Sequence, residues 1–256
     1  MTDQPEIKTP GRSGLSRRAV LAGSAAGSAA IAYLSRDGYA KNTVNGKDDG
    51  DQDTFAWRLG LKATPSDRLT LSLSADGSDD RPDTSRTPAR ATAVFGTPAN
   101  ADPFKVAADF NGLNKLSVRG VAAQIGWDAS DAVSLKSITA YRTMDYKTHL
   151  DLDATGAAIF GVFVDEAQKQ FSQEFQLSGD AMDGRFTWIG GVYYFTEEGT
   201  DNARADLAMG LWPPLGPALS PATLILNRID NTSYAVFGQG NFKLTDELSV
   251  TAGARW

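Results

Sequence analysis

The sequence predicts an all-β chain, an antiparallel meander of about nine strands forming an incomplete portion of a transmembrane β-barrel. Three observations predict it. Tight turns alternate with long loops: the turns fall at Thr64-Pro65-Ser66-Asp67, Asp128-Ala129-Ser130-Asp131, residues 179–184 and Leu244-Thr245-Asp246-Glu247, and the long stretches near 79–114, 148–166 and 198–226. Segments between them alternate apolar and polar residues with period two, which places one set on each face of a strand. No stretch after residue 40 approaches the roughly 18–20 consecutive apolar residues of a spanning helix, and a barrel strand needs none.

The elements follow in order. At the N-terminus, Ser16-Arg17-Arg18 precedes a weakly apolar, small-residue run ending at Ala30. This resembles a twin-arginine export signal, a receptor-read address and not an anchor, so residues 1–30 are expected to be a signal or disordered and 31–256 the barrel portion. Strands are expected at 31–40, 53–64, 67–78, 115–128, 131–147, 167–179, 184–197, 227–243 and 246–256. The cleanest period belongs to Phe55, Trp57, Leu59 and Leu61 against Ala56, Arg58, Gly60 and Lys62. Leu69, Leu71, Leu73 and Ala75 then alternate with Thr70, Ser72, Ser74 and Asp76, and Val250, Ala252 and Ala254 repeat the pattern. Residues 134–144 and 186–195 carry large side chains on both faces, which a bulge or an inner contact would explain. Aromatics such as Tyr141, Trp188, Tyr194 and Tyr234 gather near strand ends, where amphipathic rings favour the headgroup level.

The 256 residues carry a net charge of -6 and no cysteine. Nucleic-acid binding needs clustered Lys and Arg, and none is visible, so nucleic acid is not an expected partner. Disulfides and thiolate chemistry are excluded. His149 is the single histidine, in Lys147-Thr148-His149-Leu150-Asp151 at a strand end; it reads as a loop or ligand-contact residue. Asp49, Asp51 and Asp53 have the alternate spacing of a calcium loop, but Thr54 and Gly60 break the motif, leaving a solvated acidic loop. Gly238-Gln239-Gly240 lacks the third glycine of a dinucleotide fingerprint. No catalytic, cofactor or metal residue is assigned, and the chain is not expected to be an enzyme. The proline-stiffened run around Trp212 offers a loop that could contact a ligand, with Trp212 as the candidate residue.

Several segments together resemble the β-barrel of TonB-dependent outer-membrane receptors. They are Tyr33-Leu34-Ser35-Arg36-Asp37-Gly38-Tyr39, Pro65-Ser66-Asp67-Arg68-Leu69, Ser137-Ile138-Thr139-Ala140-Tyr141-Arg142 and Phe171-Ser172-Gln173-Glu174-Phe175. Trp188-Ile189-Gly190-Gly191-Val192-Tyr193-Tyr194-Phe195, Ser233-Tyr234-Ala235-Val236-Phe237-Gly238-Gln239 and the final residues 248–256 continue the series at barrel spacing. The resemblance implies a barrel of roughly 22 strands closed by a plug domain. It also implies import of scarce ligands of the siderophore-iron, cobalamin, haem or saccharide class, energised by the TonB complex, in the outer membrane of a Gram-negative cell. Outer-membrane lipid and an unidentified small molecule are the other expected partners. No plug and no TonB box is expected here, so the reading is a barrel fragment, not transport-competent as written, behind a foreign or misjoined signal. Two alternatives stand beside it: an exported soluble β-domain packed as a sandwich that binds a ligand in the periplasm, and a small complete barrel of about eight to ten strands.

Overall fold

The computed structural model describes residues 24–84, 102–207 and 222–256. Nine long strands form one antiparallel meander. In chain order they are β1 (Ser24–Arg36), β4 (Gln52–Ser66), β5 (Leu69–Asp80), β7 (Leu113–Asp128), β8 (Val133–Asp151), β9 (Phe160–Ala181), β10 (Phe186–Leu207), β11 (Ala222–Lys243) and β12 (Ser249–Arg255). Each pairs with the next, leaving β1 and β12 at the two edges. Three short strands, β2 (Ala40–Asn42), β3 (Asp48–Asp49) and β6 (Lys105–Val106), form a separate small sheet in the long-loop region.

The turns explain the meander. Asp67 and Arg68 join β4 to β5, with a register shift between Ala63 and Ser66. Met182, Asp183 and Gly184 all adopt left-handed backbone, at φ of 57°, 56° and 77°, to reverse β9 into β10. Between β11 and β12 the Thr245 hydroxyl accepts the N–H groups of Glu247 and Leu248, a side-chain turn of the kind threonine favours.

The two faces differ in chemistry. Cross-strand register puts Leu61, Leu73, Ala123 and Thr139 in one row, and Phe175, Val192 and Val236 in another, all on one face. These side chains stay open: Leu61 is 51% exposed and Val192 48%. The opposite face carries Ser72, Asp76, Gln124, Arg142, Gln170 and Glu174. An exposed apolar face of this extent needs lipid, which makes it the outward wall of a barrel and the polar face the inner wall. Eight to ten residues up from the tight turns the outward rows close on Tyr141, Phe171, Tyr194 and Tyr234; ring centroids of Phe171–Tyr194 and Tyr194–Tyr234 lie 6.2 and 5.1 Å apart. Above that aromatic rim the outward rows turn charged.

The structure revises several expected boundaries. β9, β10 and β11 are each 22 residues long, because the strands continue past the apolar band as polar ribbons. β1 begins at Ser24 and pairs with β4 without a break through Ala30, so the small-residue run 24–30 is strand. β10 keeps continuous register with both neighbours; no bulge shifts its phase. Its large inner residues fit because Gly191 leaves room for the Phe237 ring, which lies 2.6 Å from where a Cβ would stand. The nine strands form a single layer, and among the described residues no second sheet covers the apolar face as a sandwich would.

Candidate functional site

The sheet has few buried side chains; most of the buried residues cluster in the loops beyond the aromatic rim. Asn42 is 0% exposed. Its amide nitrogen donates to the Ala108 carbonyl at 3.0 Å, and its oxygen accepts the Val44 N–H at 3.0 Å. Asn111 donates to the Asp48 carbonyl and to the buried Asp49 carboxylate. These bonds fasten the β2–β3 hairpin to the segment after β6. The hairpin turns at Asn45-Gly46, where Gly46 has φ of 73°.

A second knot holds the β8–β9 loop. Asp151, 3% exposed, accepts the N–H of Ala154 at 2.8 Å and of Asp109 at 3.2 Å. Asp153 accepts the N–H groups of Thr155 and Phe160 at 3.0 and 2.7 Å. Burial pushes the Asp151 carboxyl up to about 7; the Ala154 N–H opposes this, and the Asp153 and Asp109 carboxyls add to it.

Beneath these loops, at the mouth of the inner wall, lies a polar pocket of about 320 Å³. Arg36, Tyr39, Gln52, Asp80, Thr84 and Asn114 line it. Arg36 donates to the Gly50 carbonyl at 3.0 Å while its guanidinium lies 4.8 Å from the Tyr39 ring centre. Asp51 accepts the N–H groups of Asp83 and Thr84 at 2.8 and 2.7 Å. Burial raises its carboxyl, but the Thr84 hydroxyl and these amides outweigh that and hold it below the ordinary range. The Asn114 side-chain oxygen is buried with no hydrogen-bond partner among the described residues. A buried acceptor left unpaired costs free energy; a polar ligand seated in the mouth would supply the missing donor. Below the pocket the inner wall remains polar, with the Arg142–Asp76 ion pair at 3.0 Å and a close hydrogen bond from Gln168 to Glu197.

Ser16, Arg17 and Arg18 and the loop residue Trp212 lie outside the described residues. His149 sits on the outward side at the top of β8, its ring edge-on to Phe163 at 5.0 Å. Burial first, and then Lys147 and Arg204, lower its affinity for a proton. Asp49 and Asp51 are loop fasteners and do not converge. Gly238 and Gly240 are strand residues, Gly240 making room for the Phe186 ring. Sequence reasoning missed Arg36, Asn42, Asn111, Asn114 and Asp151 as site-forming residues. The Asn45-Gly46 dipeptide, a strong hairpin signal, could have announced the small sheet.

The fold resembles that of several solved structures. The ferric yersiniabactin uptake receptor FyuA from Yersinia pestis matches with a TM-score of 0.66 and 15% identity, over 90% of this chain and 34% of that one. A chain of the FpvAI–pyocin S2 complex gives 0.65 and 14%, over 90% and 32%. The RagAB peptide transporter gives 0.57 and 14%, over 90% and 30%. The chain thus spans about a third of the length of these proteins, and at such identity the likeness concerns the fold. A search of the curated proteins finds no match. The model of the family described as TonB dependent receptor-like, beta-barrel matches residues 12–256. With that match over nearly its whole length, and with an apolar outward and polar inward wall, the chain belongs to the TonB-dependent receptor β-barrel family.

Proposed function

We propose that this chain is a stretch of barrel wall from an outer-membrane receptor of a Gram-negative cell, which imports a scarce small molecule with energy from the TonB complex. The observation that carries the reading is the division of one sheet into an exposed apolar face and a polar face topped by an ordered mouth pocket. A ferric siderophore is the ligand class we favour over a cobalamin or a saccharide, by analogy with the ferric yersiniabactin receptor. Arg36, Tyr39 and Asn114 are its proposed contacts: a cation and an aromatic ring for an anionic, aromatic-bearing chelate, and an open acceptor for its hydroxyl or amide groups. Ser16, Arg17 and Arg18 are proposed as the export address.

Urea washing of the envelope pellet tests the location. A chain held in the bilayer stays in the pellet; release would favour a soluble periplasmic domain and sink the barrel reading. Binding of a phenolate siderophore loaded with radioactive iron to those envelopes tests the ligand. Saturable binding that is lost in Arg36→Ala and Asn114→Leu is the expected result. Binding unaffected by both changes would remove the mouth pocket from the proposal.

A further inference from the structure

Arg36, at the end of β1, is the cation that lines the mouth pocket. Among the described residues it makes no ion pair; what orients it is the Gly50 carbonyl, which accepts Nη2 at 3.0 Å, and the Tyr39 ring, whose centre lies 4.8 Å from the guanidinium. An arginine side chain has much rotamer freedom, and whatever freedom it keeps in the empty pocket is lost when it grips a ligand. A carbonyl that already holds the guanidinium in place removes part of that loss in advance. The direction of the Gly50 carbonyl therefore matters to any ligand that Arg36 meets.

That direction is set from elsewhere in the chain. Gly50 is buried and has φ of 78°, a left-handed conformation that glycine enters without steric cost. Its N–H donates to the Thr84 hydroxyl at 3.2 Å. The Thr84 hydroxyl donates in turn to Asp51 Oδ1 at 2.5 Å, and the N–H groups of Thr84 and Asp83 donate to the same carboxylate at 2.7 and 2.8 Å. The polarity of this series runs one way. An ionised carboxylate only accepts, so the hydroxyl gives its proton to Asp51 and turns a lone pair toward the Gly50 N–H. Asp51 fixes the hydroxyl, the hydroxyl fixes the Gly50 amide, and the Gly50 backbone aims the carbonyl that receives Arg36.

We propose that Asp51 is a positioning residue of the mouth pocket: acting through Thr84 and Gly50, it holds the Arg36 guanidinium where an anionic ligand meets it. This inference rests on the reading of Arg36 as a ligand contact. Three donors already occupy the Asp51 carboxylate, so it acts on the ligand through Arg36 and not by contact. If Asp51 only fastened the segment after β5 to the start of β4, its removal would weaken binding to the same degree whether or not Arg36 was present.

The test is a double-mutant cycle on the full chain in envelopes, with a phenolate siderophore loaded with radioactive iron as the probe. Asp51→Ala is expected to weaken binding roughly tenfold when Arg36 is present and by less than about twofold in the Arg36→Ala background, the non-additivity of residues in one hydrogen-bond network. Thr84→Val keeps the shape and removes the hydroxyl, so it should repeat that pattern, and Thr84→Ser should bind as the wild type does. The Thr84 pair carries the test if Asp51→Ala loses its resistance to urea extraction. Equal losses with and without Arg36, or no loss when Arg36 is present, would overturn the positioning role and leave the mouth pocket standing. Unchanged binding in Arg36→Ala alone, or no saturable binding by the wild type, would overturn the ligand reading and this inference with it.

Discussion

Arg142 on β8 reaches across β7 to Asp76 on β5, its Nη2 lying 3.0 Å from Oδ2, through the gap that Gly120 leaves on the inner wall. A Cβ at position 120 would stand 2.7 Å from that nitrogen. The nitrogen is the free end of a flexible side chain, so Gly120→Ala is expected to swing the guanidinium aside and lose the ion pair, at a cost below about 1 kcal/mol for a half-exposed pair. Gly191→Ala should behave differently. Its Cβ would meet the Phe175 backbone carbonyl and the Phe237 ring, both at 2.6 Å, and backbone cannot yield cheaply. A cost of about 1–3 kcal/mol is expected. Guanidinium unfolding midpoints in detergent rank the two; a reversed order would mean that the sheet is not packed as described.

The outward and inner walls should tolerate charge unequally. Val192 lies in the middle of the apolar band, between Phe175 and Val236. Val192→Lys is expected to cost about 2–4 kcal/mol in a bilayer, as midplane lysines on barrel exteriors do. Gln124→Lys, on the polar wall, should cost little. The folded fraction in lipid vesicles, read from heat-modifiable gel mobility, checks both.

The β8–β9 loop should loosen as pH rises. Asp151 has its carboxyl raised from 3.8 to about 7, so the folded loop binds a proton that the opened loop releases. Its stabilisation is complete below the ordinary carboxyl range and is lost as pH climbs to about 7 and beyond. Hydrogen exchange at Ala154 and Phe160, corrected for intrinsic rates, should show protection falling between acidic and neutral pH. Asp151→Asn should flatten that slope.

Asp51 should show the opposite dependence. Its carboxylate is favoured by the donors of Asp83 and Thr84, so its contribution is present above 3.8 and is lost as pH falls through its lowered value. Asp51→Ala removes an acceptor of charge-assisted bonds, worth about 1.5–3 kcal/mol locally. Exchange at the Asp83 and Thr84 amides is the readout; unchanged protection in the variant would show that other contacts hold the segment.

Much of the sheet was legible because lipid enforces a strict period. Leu69, Leu71 and Leu73 face hydrocarbon and Thr70, Ser72 and Ser74 face the interior, so the sequence alternates and each strand can be read directly. The signal fades where lipid ends. Beyond Tyr194 both faces of β10 meet polar surroundings, which is why its last ten or so residues read as loop. At the start of β1, Ser24, Ala26 and Ser28 are nearly as small as Ala25 and Gly27 opposite them, so no alternation stands out. The small sheet of β2, β3 and β6 was invisible for another reason. Two- and three-residue strands have no period, and what holds them is the amide of Asn42, whose partners lie 66 residues away along the chain. The mouth pocket likewise gathers Arg36, Asn114 and Thr84 from separate strands and loops, a meeting that only the register determines.

The meander has one further consequence, which concerns direction. Successive strands reverse, so in a sheet of nine the first and last point the same way: β1 and β12 both climb from the tight-turn side toward the loops. Joining these edges directly, or joining whole copies of the sheet edge to edge around a ring, creates a parallel seam at every junction. A wall that is antiparallel throughout requires an odd number of additional strands between β12 and β1. Parity alone thus favours completion by a different set of strands over assembly from repeats of this one.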